Sequence, residues 1–192
     1  MRIVAALLGA GLLLTACERT PAEVPPSHYL SPVVTIPPSP LADPNLVRWM
    51  DGFCTAVHGY RDRARREADP TRPLPRTAAE AQQQLGADLG GMAARTGEVV
   101  GKLDALSAAP VPAAETARRA FVAKFSKARD RAAAAKTRLD RAKPGDQASP
   151  GPAAEALEQA QQDIEGTYDP VGAVTASPEL MLAADNAPGC KS

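Results

Sequence analysis

Apolar residues recur at alternating spacings of four and three through the middle of this 192-residue chain. The positions that follow this spacing are Leu85, Leu89, Met92, Thr96, Val99, Leu103 and Leu106. A sustained seven-residue repeat places its members along one side of an α-helix and is typical of helices that pack lengthwise against one another. No stretch of the chain alternates apolar and polar residues as a half-buried strand would. The sequence therefore predicts an all-α fold.

Proline clusters separate this helix from three others of similar character. The predicted helices span residues 43–67, 77–106, 112–143 and 152–165, and a short extra helix starts at Ser177. Apolar positions of the first helix are Leu46, Met50, Phe53, Val57 and Tyr60, and those of the third are Ala117, Phe121, Phe125, Ala128, Ala132, Ala135, Leu139 and Ala142. Because the connections are short, we expect residues 45–192 to form an antiparallel up-down-up-down four-helix bundle with a short C-terminal helix.

A twelve-residue apolar run, from Ile3 to Leu14, follows Arg2 near the amino terminus. It is shorter than the roughly 20 residues that a membrane-spanning helix needs, and it has the layout of a secretory signal. The run ends in Leu14-Thr15-Ala16-Cys17, which resembles a bacterial lipobox. This predicts that residues 1–16 are a lipoprotein signal peptide and that Cys17 is fatty-acylated. The protein would then lie on the extracytoplasmic face of the bacterial membrane, with membrane lipid as its first partner; the alternative is an ordinary signal peptide.

The segment from Cys17 to Pro44 is rich in proline. It contains Pro21, Pro25, Pro26, Pro32, Pro37, Pro38, Pro40 and Pro44. Proline at this density prevents helices and sheet ladders and favours extended polyproline II. We therefore expect residues 17–44 to form a disordered stem that carries the bundle up to about 80 Å from the bilayer.

Two cysteines remain once Cys17 is lipidated. Cys54 lies in the first predicted helix and Cys190 near the end of the chain. Because thiols outside the cytoplasm tend to be oxidised, the pair predicts a disulfide that closes a long loop. A metal site that includes Cys54 and His58 is a weaker alternative, since two ligands are too few for zinc. His58 itself is expected to be solvated on the flank of its helix.

The segments "RWMDGFC" (Arg48 to Cys54) and "APGC" (Ala187 to Cys190) resemble small secreted helical lipoproteins of actinobacteria. Those proteins have a lipobox, a tryptophan shortly before a cysteine in the first helix, and a terminal Pro-Gly-Cys. The resemblance implies a helical architecture and a cell-surface address. It implies no activity.

Charge is balanced over the chain, with 22 basic and 22 acidic residues, which argues against a nucleic-acid binder. The balance is uneven along the chain. Residues 112–143 carry ten basic and three acidic side chains, a net of +7, and residues 144–192 carry one basic and eight acidic, a net of −7. We expect these segments to attract each other within one hairpin; the alternative is that the third helix faces anionic lipid headgroups or cell-wall phosphate polymers.

No phosphate-binding loop, nucleophile elbow, closely spaced pair of histidines or Cys-x-x-Cys motif occurs in the sequence. The chain is therefore expected to be non-enzymatic, without metal or cofactor. One side of the second helix carries only small residues, namely Ala87, Gly90, Ala94, Gly97 and Gly101. This stripe is either a contact face for a partner helix, an envelope protein or a second copy, or a by-product of composition. The sequence predicts a non-catalytic binding or structural module; the alternative is a carrier that holds a small apolar ligand between its helices. It leaves the oligomeric state open.

Overall fold

The computed structural model describes residues 41–191. In this part of the chain the backbone forms five α-helices and two three-residue 3₁₀ turns, with no strand. The helices are α1 (Pro44–Glu67), α2 (Ala78–Asp104), α3 (Pro112–Arg141), α4 (Pro150–Asp163) and α5 (Pro178–Asn186), and the turns are Gly172–Val174 and Pro188–Cys190. The all-α prediction is confirmed. The signal peptide, Cys17 and nearly all of the stem lie outside the described residues.

Local sequence signals fix where the helices begin. The Asp43 side chain accepts a hydrogen bond from the backbone of Asn45 at the start of α1, and the Ser177 hydroxyl accepts one from Leu180 at the start of α5. Thr77 Oγ1 accepts the backbone N–H of Glu80 at 3.1 Å, and Glu80 Oε2 in turn accepts the backbone N–H of Arg76 at 2.7 Å. These side chains satisfy backbone donors that have no partner within the helix.

The two longest helices, α2 and α3, form an antiparallel hairpin. Gly86 lies beside Leu139 near one end, and Asp104 pairs with Arg118 at 3.3 Å near the other. Helix α1 runs antiparallel to the second half of α2. Gly52 lies opposite Leu106, while the pairs Arg63–Glu98 and Arg95–Glu67 lie farther along α1.

Helix α4 returns along α3, which completes the up-down-up-down order. Ala153 lies beside Leu139 near its start, and Asp163 at its end reaches Arg131. The four helices do not form a regular four-cornered bundle, however. Helix α4 packs against α3 and α2, whereas α5 and the Pro188–Cys190 turn pack against α1. The reason is length: α4 has 14 residues and α3 has 30, so α4 covers only half of α3. The chain after α4 continues beside the other half.

The core differs between the two halves of α3. Trp49 stacks on Phe53 with 5.2 Å between ring centroids, and Phe53 meets the edge of Phe121 at 5.0 Å. Phe125, one turn later, contacts Tyr60 at 5.7 Å. The buried residues of the second half are mainly alanines: Ala128, Ala132 and Ala135 on α3, and Ala153, Ala156 and Ala160 on α4. Small side chains let α3 and α4 approach closely.

The predicted attraction between α3 and the acidic end of the chain is present at Asp163. Its carboxylate pairs with Lys127 at 2.8 Å and Arg131 at 2.7 Å, and its side chain is 8% exposed. Burial raises the pKa of Asp163, but the hydrogen bonds from Arg131 and Lys127 outweigh it, so the pKa lies below its usual value. Some other cations of α3 pair within α3 itself, such as Lys136 with Asp140 at 2.6 Å, and Arg118 pairs with Asp104 of α2.

The alanine-rich half of the core predicts that the same substitution at two adjacent positions of α3 will change the free energy of unfolding by different amounts. Ala132 is fully buried, whereas Ala133 is exposed. We expect Ala132→Leu to lower the free energy of unfolding by about 1–3 kcal/mol, because the larger side chain forces the helices apart. Ala133→Leu should change it by less than about 0.5 kcal/mol. Chemical denaturation measures both, and equal effects would contradict this packing.

The Asp163 ion pairs predict a pH dependence of stability. We expect Asp163→Asn to cost about 1–3 kcal/mol at pH 7, because it leaves Arg131 without its charged partner. A folded pKa below the unfolded value of about 3.9 means that the stabilisation is complete above that value and is lost as pH falls through the folded pKa.

The difference between wild type and Asp163→Asn should therefore shrink as pH falls below about 3.9. Urea denaturation at several pH values measures this. Glu158→Gln, an exposed change on the same helix, is the matched control and should have little effect. A difference that stays constant down to pH 2 would contradict the assignment.

Candidate functional site

A disulfide joins the middle of α1 to the end of the chain. Cys54 is fully buried in α1, and Cys190 is half-buried in the Pro188–Cys190 turn. Their Cα atoms are 4.9 Å apart, and 136 positions separate them in sequence. This is the pairing that the sequence predicts.

The Pro188–Cys190 turn also makes hydrogen bonds to α1. The backbone N–H of Gly189 donates to Asp51 Oδ1 at 2.7 Å. The Gly189 carbonyl lies 2.9 Å from His58 Nδ1, and because a carbonyl oxygen only accepts, this nitrogen carries the proton. Both backbone groups of Gly189 are therefore held by side chains one turn to either side of Cys54.

Gly189 lies flat against α1. A Cβ atom added there would be 2.7 Å from the backbone oxygen of Asp51 and would also collide with Thr55 Oγ1. Real Cβ atoms essentially never come this close to backbone, so only glycine fits without displacing the turn. Glycine in "APGC" is thus required by the close approach of two backbones.

The expectation that His58 is solvated is wrong. Its side chain is 9% exposed, because the Pro188–Cys190 turn covers the side of α1 that carries it. The alternative metal site fails as well, since the Cys54 sulfur is in the disulfide. Within residues 41–191, no three His, Cys, Asp or Glu side chains lie close enough together to hold a metal ion.

The small-residue stripe of α2 lies at the surface beside α3. A Cβ at Gly90 would be 3.3 Å from Lys136 Cε, and one at Gly97 would be 3.5 Å from Arg129 Cδ. The stems of these two cations lie over the glycines, so Gly90 and Gly97 have a packing role within the hairpin. The other members, Ala87, Ala94 and Gly101, are exposed, and nothing lies within 4 Å of a Cβ at Gly101. The contact face stays a prediction for these three.

An apolar groove of about 340 Å³ runs between α3 and the segment from the Gly172–Val174 turn to α5. Phe121, Val174 and Leu180, all buried, line its base, and Ala120 is exposed at its edge. The other residues along it are Ala113, Thr116, Ala117, Ala173, Ala176 and Ser177. The groove is open to solvent and offers contact to a small apolar molecule.

The largest cluster of ionisable groups joins α1 to α2. Arg63 bridges Glu67 and Glu98, and Arg95 pairs with Glu67 at 2.6 Å. Hydrogen bonds from Arg63 and Arg95 lower the pKa of Glu67. Tyr60 lies under Arg95, 5.9 Å from ring centroid to guanidinium; burial raises the pKa of its hydroxyl, and Arg95 partly offsets this. Each carboxylate here is paired with cations, an arrangement that holds two helices in register.

Sequence reasoning missed the groups around the disulfide. Asp51, Cys54, Thr55 and His58 share one side of α1, because residues three, four and seven apart lie in line on a helix. That spacing is visible in the sequence, and in the structure these residues face the Pro188–Cys190 turn.

No helix in the described part of the chain is both long and apolar enough to cross a bilayer.

Comparison with protein-family models, curated proteins and solved structures finds no match to this chain.

Proposed function

We propose that the protein is a cell-envelope lipoprotein, anchored through acylated Cys17, whose helical bundle serves as a non-catalytic binding or structural module. The observation that carries the proposal is Leu14-Thr15-Ala16-Cys17 directly after a short apolar run. The same layout underlies its similarity to small secreted helical lipoproteins of actinobacteria. Two acyl chains provide stable anchoring where a single chain binds only marginally.

The Cys54–Cys190 disulfide supports an address outside the cytoplasm. Disulfides persist in oxidising compartments and are rare where thiol reductants are abundant. A structural disulfide between a fully buried cysteine and the end of the chain is consistent with folding after export.

The surface of the bundle supports a role in contact rather than in chemistry. Its main charge clusters, around Glu67 and Asp163, are used in pairing one helix with another. The exposed members of the α2 stripe, Ala87, Ala94 and Gly101, leave room for a second backbone to approach. The partner class we propose is a helix of another envelope protein.

The anchor is tested by replacing Cys17. We expect the wild-type protein to fractionate with membranes and to incorporate an alkyne-tagged fatty acid, and Cys17→Ser to lose the label completely because the acceptor thiol is gone. The readouts are click-labelling in cells and the intact mass of the purified protein.

The matched control is the double variant Cys54→Ser with Cys190→Ser, which should keep the label because those sulfurs are not lipid acceptors. Label retained in Cys17→Ser would contradict the proposal. So would wild-type protein whose mass still includes residues 1–16.

A second candidate function is carriage of an apolar ligand, and the α3–α5 groove favours it. Its base of Phe121, Val174 and Leu180 is apolar, and its volume of about 340 Å³ is in the range of small-molecule pockets. The occupant would be an acyl chain or another small apolar molecule, because the base of the groove is apolar and the groove is open to solvent.

The groove is tested with a fluorescent fatty acid. We expect saturable binding by the wild type, and a dissociation constant at least about tenfold higher for Ala120→Phe, because the ring fills the groove. Ala133→Phe is the matched control, an exposed alanine on the same helix outside the groove, and should bind as the wild type does. Equal binding by all three proteins, or no binding by the wild type, would remove this candidate.

A further inference from the structure

We infer that Asp51, Thr55 and His58 form a docking surface on α1 that binds the chain's own Gly189 backbone without help from the disulfide. By doing so it places Cys190 beside Cys54 before the two sulfurs are joined. This goes beyond the proposed function and holds wherever the protein resides.

The first observation is that the docking surface surrounds Cys54. Asp51 lies one turn before it and His58 one turn after it, on the same side of α1. Because Gly189 is next to Cys190 in the chain, a peptide held at Gly189 has its neighbouring Cα within disulfide range of Cys54. The observed Cα separation is 4.9 Å.

The second observation is that both polar groups of one peptide residue are engaged. Gly189 N–H donates to a carboxylate at 2.7 Å, which is a charge-assisted bond, and its carbonyl accepts from His58 Nδ1 at 2.9 Å. Together the two hydrogen bonds fix the position and direction of the chain.

The third observation is selectivity by shape. Any side chain at residue 189 would collide with Thr55 Oγ1 and with the Asp51 backbone. The surface therefore accepts glycine alone at this position, immediately before the reactive cysteine. A disulfide by itself would place no such demand on the preceding residue.

The fourth observation is that the segment leading to the turn is also anchored. Leu180, Ala183 and Ala184 of α5 are buried, α5 packs on α1, and Ala187 is fully buried. Closing a loop of 136 positions has a large entropic cost that must be met before the sulfurs can react. Non-covalent docking of α5 and the turn offsets that cost.

Glutathione disulfide can oxidise the two docked thiols in two exchange steps. The Cys190 thiolate, on the half-buried side, attacks one glutathione sulfur and releases one glutathione thiolate. The Cys54 thiolate then attacks Cys190 Sγ in the mixed disulfide and releases the second. Two protein thiols are oxidised, one glutathione disulfide is reduced to two glutathiones, and their protons come from the two cysteines.

The experiment measures how strongly the folded chain favours its disulfide. Full-length, detergent-solubilised protein is equilibrated in glutathione buffers of defined ratio, quenched by alkylation and weighed by mass spectrometry. We expect the equilibrium constant for disulfide formation to fall about 10- to 100-fold in Gly189→Ala and about 5- to 50-fold in Asp51→Ala.

Three further changes serve as controls. His58→Asn places an amide nitrogen where Nδ1 is and should stay closer to wild type than His58→Ala. Asp62→Asn, an exposed carboxylate on the same helix away from the turn, and Gly151→Ala, an exposed glycine of α4, should leave the constant unchanged. Unchanged constants in Gly189→Ala, Asp51→Ala and His58→Ala would overturn the inference.

A second measurement is independent of redox chemistry. In the variant with both Cys54 and Cys190 replaced by serine, we expect amide hydrogens of α5 and of residues 187–190 to remain protected from exchange. Adding Asp51→Ala to this background should remove most of that protection while α2 and α3 keep theirs. Exchange in the double-serine variant as fast as in an unfolded peptide would overturn the inference.

Discussion

Every element after the middle of α1 lies inside the loop that the Cys54–Cys190 disulfide closes. In the chain-entropy account, a crosslink spanning 136 positions stabilises the folded state by about 4–5 kcal/mol. That contribution matters here because much of the core is alanine, which buries little apolar area for each residue ordered. The disulfide lies at the aromatic end of the bundle. The disulfide and the aromatic part of the hydrophobic core therefore stabilise the same half of the bundle.

The other half depends on close approach and on charge. Alanines of α3 and α4 face each other, so the two backbones come near, and Asp163 is drawn between Lys127 and Arg131. On α2, the glycines at 90 and 97 leave space for the stems of Lys136 and Arg129. On α2 a small residue leaves room for a long cation of α3, and between α3 and α4 small residues on both helices accompany the pairing of Asp163 with two cations. The uneven distribution of charge along the chain and the concentration of small side chains at helix contacts therefore contribute to the same packing of helices.

Much of this architecture can be read from the sequence, because the signals are local. Apolar spacing, proline breaks and capping residues determine the helices to within about two residues, and the cysteine count determines the disulfide. The position of α4 cannot be obtained this way, since it depends on a length difference that matters only once α3 is in place. The burial of His58 cannot be predicted for a similar reason, because the turn that packs against it lies 131 positions away in the chain. Helix periodicity shows which residues share a face of one helix, but it does not show which later segments of the chain pack against that face.

The uneven distribution of aromatic rings has a spectroscopic consequence. The chain has a single tryptophan, Trp49, and it is buried against Phe53 in the half that the crosslink closes. Its emission therefore monitors only that half, whereas far-ultraviolet dichroism averages over all the helices. If the alanine-rich half melts first, the dichroism signal will change while the indole emission stays native. Two optical probes can thus resolve a stepwise loss of structure within one helical bundle.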